Sequence, residues 1–315
     1  MNANMIGGPG RRNCAFSGVP TFMRSQYCDD LSMLTAQWAV LGVPYDEGSP
    51  FAPGSRFAPR SIREHSLRFR NAGVYDSATR RPLLDGFVPS GAIVDIGDVD
   101  VLPSNPERSL ANLRETVACI RARGAKPLVI GGDHAISFPV VSAFTEPLHV
   151  IQLDAHLDYM AVNADLQHTN GQGFRKIHAL RTVRSLTQIG IRGLRNYTND
   201  FSDAERNGSR IFTMPELRTL GAAGALAHLP EGARCYVSID IDAYDMSLTP
   251  GCVSAEPGGL LWDDMTALLS VISRRFDVQG FDLVEVNPML DVGTGITSYL
   301  AAATMVFFLG QLHGR

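Results

Sequence analysis

Seven short runs rich in β-branched and aliphatic residues punctuate the chain. They are AVLGVPY (39–45), AIVDIGDVDV (92–101), PLVIGGDH (127–134), HVIQLDAHLD (149–158), LTQIGIRG (186–193), CYVSIDID (235–242) and GFDLVEVNP (280–288). Several are almost unbroken apolar stretches. A strand with one wet face alternates apolar and polar residues, whereas an unbroken run must be buried on both faces, as in a parallel sheet covered by helices. Helical patterns lie between the runs. NPERSLANLRETVACIRARG (105–124) ends on the stop signal Gly124, and in LLWDDMTALLSVISRRF (260–276) Asp263 and Asp264 precede apolar residues at helical spacing. Strand alternating with helix predicts an α/β fold with a largely parallel sheet. The 315 residues allow one large domain or two ordinary ones. No proline/glycine linker or compositional shift divides them, so we expect an irregular arm over 1–35 and a single domain over 36–315.

Composition narrows the function. With 19% charged residues and a net charge of −4, the chain has no basic excess, and a nucleic-acid partner is not expected. Cys14, Cys28, Cys119, Cys235 and Cys252 are odd in number and lack CxxC spacing, which favours a reducing compartment over a disulfide framework or a thiolate metal site. MNANMIGGPGRRNCAF has no apolar signal-peptide core. YLAAATMVFFLGQL (299–312) is short for a bilayer span and reads as a buried helix. The expectation is a soluble cytoplasmic protein with no membrane partner.

Ligand sites in parallel sheets form outside the carboxyl ends of the strands. Three runs turn polar there: PLVI leads into Gly131-Gly132-Asp133-His134, HVIQL into Asp154, His156 and Asp158, and YVSI into Asp240-Ile241-Asp242. If extended geometry persists, Asp154, His156 and Asp158 share one face, as do Asp240 and Asp242. Four carboxylates gathered in a cleft repel one another unless cations are present, and two divalent metals answer that repulsion. Oxygen and imidazole donors without thiolate suit Mn²⁺ better than Zn²⁺, with Ni²⁺, Co²⁺ and Fe²⁺ left open. A lone Asp-x-His is often only a loop cap; three such segments together carry the metal reading.

GGDHAIS (131–137), DAHLD (154–158) and SIDIDAYD (238–245) resemble the three signature segments of the ureohydrolases, the arginase–agmatinase family. VPTFMR (19–24), LGVPYDEGSPFAPGSRFAPRSIRE (41–64), EPGGL (256–260) and FDLVEVNP (281–288) are similar to the agmatinase, guanidinobutyrase and proclavaminate amidinohydrolase branch rather than to arginases. The resemblance implies a three-layer α/β/α sandwich, two Mn²⁺ per chain, a trimer or hexamer of identical chains, and hydrolysis of a guanidino group to urea and an amine. It assigns His134, Asp154, Asp158 and Asp240 to a first metal. His156, Asp154, Asp240 and Asp242 would hold a second, with Asp154 and Asp240 bridging. Two such cations acidify a water molecule and position it as nucleophile. The resemblance further implies that Glu285 holds the guanidinium nitrogens and that Asp158 carries the nucleophile's proton. His168 would be a proton shuttle outside the metal shell.

Two loops depart from the family pattern. Many relatives read HGTPFR where this chain reads HTNGQGFRK (168–176); if His168 and Phe174 are both equivalent to the family residues, two extra residues lie between them. In YDMSLTPGCVSAEPGG (244–259) Asp245 is kept, Met246 replaces a proline, and Cys252-Val-Ser replaces a GTGT-type turn. Cys252 is either a reactive thiol near the pocket or a small packed side chain. Arg56 either grips a substrate carboxylate or anchors its own loop. His65, His149, His178, His228 and His313 lack motif support and read as structural. Agmatine is the default substrate. A guanidino acid (4-guanidinobutyrate or 3-guanidinopropionate) or another alkylguanidine is the alternative. Two further readings are a one-zinc deacetylase of acetyl-lysine or acetylpolyamines, against which the complete DAHLD and DIDAYD segments count, and a non-catalytic metal-binding subunit of a hetero-oligomer.

Overall fold

The apolar runs hydrogen-bond into one nine-stranded sheet, all of whose pairings are parallel, in a computed structural model that describes residues 14–313. In chain order the strands are β1 (Gln26–Tyr27), β2 (Trp38–Gly42), a separate antiparallel hairpin of β3 (Val74–Asp76) and β4 (Arg81–Leu83), then β5 (Ile93–Asp98), β6 (Lys126–Ile130), β7 (Leu148–Leu153), β8 (Val183–Ile191), β9 (Arg210–Thr213), β10 (Arg234–Asp240) and β11 (Asp277–Val284). Their order across the main sheet is β1-β5-β2-β6-β11-β10-β7-β8-β9. The chain leaves β6, re-enters three places along at β7, and later fills the gap with β10 and β11. The carboxyl ends of β6, β11, β10 and β7 therefore lie side by side.

The helices are α1 (Ala58–Ser66), α2 (Pro106–Ala122), α3 (Ser137–Ser142), α4 (Gly173–His178), α5 (Thr198–Arg206), α6 (Met214–Ala225), α7 (Trp262–Arg275) and α8 (Ile296–His313). Local signals explain their limits. Asn105 Oδ1 accepts from the Arg108 N–H (3.1 Å) at the start of α2, and Gly124 takes φ +78° just past its end. Asp264 accepts from the Leu261 N–H (2.9 Å) ahead of α7, whose last turn carries Arg274 and Arg275.

Alternate strand residues feed two cores. Val40, Leu128, Ile130, Ile151 and Val237 pack with Ile62 of α1, Leu268 of α7 and Phe308 of α8. Ala39, Leu41, Val129 and Val150 pack with Leu113 of α2, Val140 of α3 and Ile177 of α4. This is the three-layer α/β/α arrangement, with both sheet faces covered. α8 is long and apolar enough to cross a membrane by length and composition, and it packs on α1 and α7 with Ala301, Met305, Phe308 and Leu309 buried.

Of the arm expected over 1–35, residues 1–13 lie outside the described residues. The rest is tied to the domain: β1 pairs with β5, Phe22 and Met23 are buried, and the Phe22 N–H donates to Asp95 Oδ2 at 2.7 Å. Asp95 also takes a bidentate pair from Arg63 (Nε–Oδ2 2.8 Å, Nη2–Oδ1 2.9 Å). Both side chains are buried, and loss of Asp95 would leave Arg63 with only Asp98 and the Gly97 carbonyl and would orphan the Phe22 N–H. Asp95→Ala is expected to cost about 3–5 kcal/mol of stability. A denaturant midpoint unchanged from wild type would contradict this.

Candidate metal centre

The chain bends at each strand end because a carboxylate there caps the backbone two residues on. Asp154 Oδ1 accepts from the His156 N–H (2.6 Å), Asp240 Oδ1 from the Asp242 N–H (2.8 Å), and Asp133 Oδ1 from the Ala135 N–H (3.0 Å). Such turns compete with the strand ladder and end it. β7 accordingly stops at Leu153 and β10 at Asp240. Asp154, His156 and Asp158 are thus not on one strand face, contrary to expectation; a folded loop brings them together. Asp158 (φ +47°) and Glu285 (φ +66°) are non-glycine residues in the left-handed region, a strain of about 1–3 kcal/mol each that the surrounding structure must hold. Gly132 is required because a Cβ there would collide with the Tyr45 carbonyl oxygen.

Three carboxylates converge on one buried nitrogen. His134 Nδ1 lies 3.1 Å from Asp154 Oδ2, 3.0 Å from Asp158 Oδ2 and 3.0 Å from Asp240 Oδ2. It makes no aligned hydrogen bond to any of them. His156 Nδ1 lies 3.0 Å from Asp242 Oδ2 and 3.7 Å from Asp154 Oδ1. Asp154 is common to the clusters His134/Asp154/Asp158 and Asp154/His156/Asp242. A single N–H satisfies one acceptor, so a proton on His134 cannot serve three carboxylates; a divalent cation among these oxygen and imidazole donors can. The residues therefore fit metal ions.

The electrostatics agree. Burial, then the neighbouring Asp242 and Asp158 charges, pushes Asp154 up to about 7, and burial with Asp242 and Asp154 raises Asp240 well above the carboxylate range. Burial opposes the charge on His156, but Asp242 and Asp154 outweigh it and lift the imidazole to about 10. Burial also opposes the charge on Asp242, yet His156 holds it low. The cluster has a surplus of negative charge that cations would relieve.

Further hydrogen bonds hold the candidate ligand His134 in place. The far nitrogen of His134 lies 2.9 Å from Ser238 Oγ, which donates to Asp282 Oδ1 at 2.6 Å. Asp282 Oδ2 accepts from Ser137 Oγ (2.8 Å) and Tyr236 OH (2.7 Å). Sequence reasoning did not single out Ser238 or Asp282. The available signal was a lone carboxylate inside the otherwise apolar strand residues FDLV. Asp282→Ala would remove the acceptor shared by three buried hydroxyls. It is expected to weaken metal affinity about 10–100-fold, checked by metal titration against wild type.

Glu285, just past β11, accepts from the His134 N–H (2.8 Å) and from Asn170 Nδ2 (3.0 Å). Glu285, Asn170, His156, Asp158, Asp240 and Asp242 line one cavity of about 260 Å³. His168 is not brought there. Its Nε2 lies 3.2 Å from Glu107 on α2, and the residue lines a separate cavity with Leu110, Arg114 and Phe138. The Thr169 hydroxyl and the Asn170 N–H are pinned to the Gly48 carbonyl (3.2 and 3.1 Å), so Asn170 points inward in place of the histidine. The Cys252 thiol is buried and held far above its ordinary range by burial and nearby Asp242 and Asp240, which favours the packed reading. Arg56 anchors its loop on Asp46 (Nε–Oδ1 2.6 Å).

A parallel sheet whose adjacent strand ends gather two imidazoles and four carboxylates beside a small cavity, four of the six lining it, has the layout of a metal-dependent α/β hydrolase. The family model for the arginase family matches residues 36–310. The chain is 33% identical to proclavaminate amidinohydrolase of Streptomyces clavuligerus over 91% of this chain and 90% of that one. It is 34% identical to guanidinopropionase of Pseudomonas aeruginosa over 93% and 91%. The solved structure of the Streptomyces clavuligerus proclavaminate amidinohydrolase superposes with a TM-score of 0.82 at 30% identity, covering 95% of this chain and 100% of that one. The chain belongs to the arginase family, a family of binuclear metal-dependent enzymes, and is a hydrolase of C–N bonds in guanidino compounds.

Proposed function

We propose that this enzyme binds two Mn²⁺ per chain and hydrolyses a small linear guanidino compound to urea and an amine, with agmatine as the default substrate. The observation that carries the reading is the convergence of three carboxylates on His134 Nδ1, with Asp154 common to both clusters. His134, Asp154, Asp158 and Asp240 would hold one ion; His156, Asp154, Asp240 and Asp242 would hold the other. When bound, the ions supply an acidified water and an electrostatic hold on the developing charge. Glu285 faces the same cavity and accepts the guanidinium hydrogens, with Asn170 and the His134 N–H fixing its orientation. Asp158, whose Oδ2 lies 3.0 Å from His134 Nδ1, would carry the nucleophile's proton to the leaving amine.

A guanidino acid is the second reading. It is motivated by the name of the guanidinopropionase relative. Nothing in the geometry favours a non-catalytic subunit, since all six ligand candidates face one another. We also propose a homo-oligomer of three or six chains in the cytoplasm, the location being supported by five free cysteines.

The test is urea release by Mn²⁺-loaded protein from agmatine, 4-guanidinobutyrate, 3-guanidinopropionate, arginine and short alkylguanidines, repeated with Ni²⁺. One strongly preferred substrate is expected; silence across the panel with both ions would overturn the proposal. His168 gives a second check. Loss of a proton-transfer residue costs about 10²–10⁴-fold. With its imidazole turned to Glu107, His168→Ala is expected to keep kcat within about threefold, far short of that general acid–base contribution.

A further inference from the structure

The deep end of the cavity is given over to the ligand cluster and Glu285, so selectivity must come from its outer wall. Four side chains there matter: Phe51, Tyr197, Arg195 and Asp200. Arg195 is already engaged. Its Nε lies 2.7 Å from Glu256 Oε1 and its Nη2 donates to the Ser254 carbonyl. Its charge is matched within the protein and offers little to an anionic tail. Asp200 differs. It sits half-buried in the first turn of α5, and its carboxylate accepts no hydrogen bond among the described residues. The nearby Arg175 is bound instead to Asp203 (2.6 Å) and to the Tyr159 carbonyl (2.9 Å). Phe51 and Tyr197 stand 85% and 61% exposed on the same wall, although aromatic rings of this size are normally covered. A free carboxylate with two uncovered aromatic faces is the chemistry that receives a cation.

We propose that Asp200, Tyr197 and Phe51 form the tail subsite and select a guanidino compound whose far end carries a positive charge. The inference rests on the guanidino-hydrolase reading and assigns its substrate class. An α,ω-compound with a guanidinium at one end and an ammonium at the other fits both ends. A terminal carboxylate meets Asp200 as a like charge, with Arg195 already neutralised.

The test compares kcat/KM for agmatine, neutral butylguanidine and 4-guanidinobutyrate in metal-loaded wild type, Asp200→Asn and Arg195→Gln. Wild type is expected to favour agmatine over butylguanidine at least about tenfold, through KM, as one ion pair with an aromatic contact would give. In Asp200→Asn that ratio is expected to fall to near one. The ratio is internal to each variant, so partial misfolding does not imitate the result. A preference for agmatine that survives Asp200→Asn overturns the proposal. So does a preference for 4-guanidinobutyrate that Arg195→Gln removes. If no guanidine is turned over, the hydrolase reading fails, and the subsite is judged separately by calorimetric binding of 1,4-diaminobutane and 1-butylamine to the same proteins. Tighter diamine binding lost in Asp200→Asn upholds it, and equal binding of the two amines sinks it.

Discussion

Asp154→Ala is expected to lower kcat/KM for urea release by about three orders of magnitude or more, equivalent to at least ~4 kcal/mol of transition-state stabilisation. Asp154 faces both His134 and His156, and its Oδ1 also closes the turn that positions the His156 N–H. Alanine would remove the proposed shared ligand and the turn together. Asp154→Asn separates the two effects, because an amide oxygen still accepts from the His156 N–H while the charge is gone. Asparagine is expected to match the wild-type unfolding midpoint when both proteins are metal-free and to lose most of the activity. Activity within about tenfold of wild type in both variants would contradict a shared ligand at this position.

Chelation of bound metal is expected to produce the second large effect, on stability. A ligand that binds only the folded state stabilises it by mass action, by about 4 kcal/mol per site at a thousandfold excess over its dissociation constant. Without cations the fold must hold Asp154, Asp158, Asp240 and Asp242 around two histidines, with Asp154 and Asp240 forced toward protonation by burial. Dialysis against a chelator should lower the thermal unfolding midpoint, and re-addition of Mn²⁺ should restore it. A midpoint indifferent to both treatments would mean that the cluster is a self-contained hydrogen-bonded network.

The layout of the centre was largely legible in the chain because its signals are local. Unbroken apolar runs marked seven of the sheet strands, and the polar residues that end three of those runs marked the site. Strand limits were overextended at 127–134, 149–158 and 235–242, since Asp133, Asp154 and Asp240 turn the backbone through their own side chains. β1 and β9 escaped notice as the sheet's outermost members, two and four residues long with no unbroken apolar run. His168 misled because spacing from Asp154 carries no information about which way the loop turns after it; the Gly48 carbonyl decides that, 121 residues from Thr169 in the chain. Asp282 and Ser238 lie inside strands, where a polar residue is informative only once its neighbours across the sheet are known.

The most direct test of the central claim is a titration of metal-free protein with Mn²⁺, following urea release from a saturating guanidino substrate at each addition. Two ions sharing Asp154 and Asp240 predict activity that rises with added metal and reaches its plateau at two equivalents per chain. A plateau at one equivalent would point to a mononuclear hydrolase, and urea release that is full before any metal is added would contradict the account.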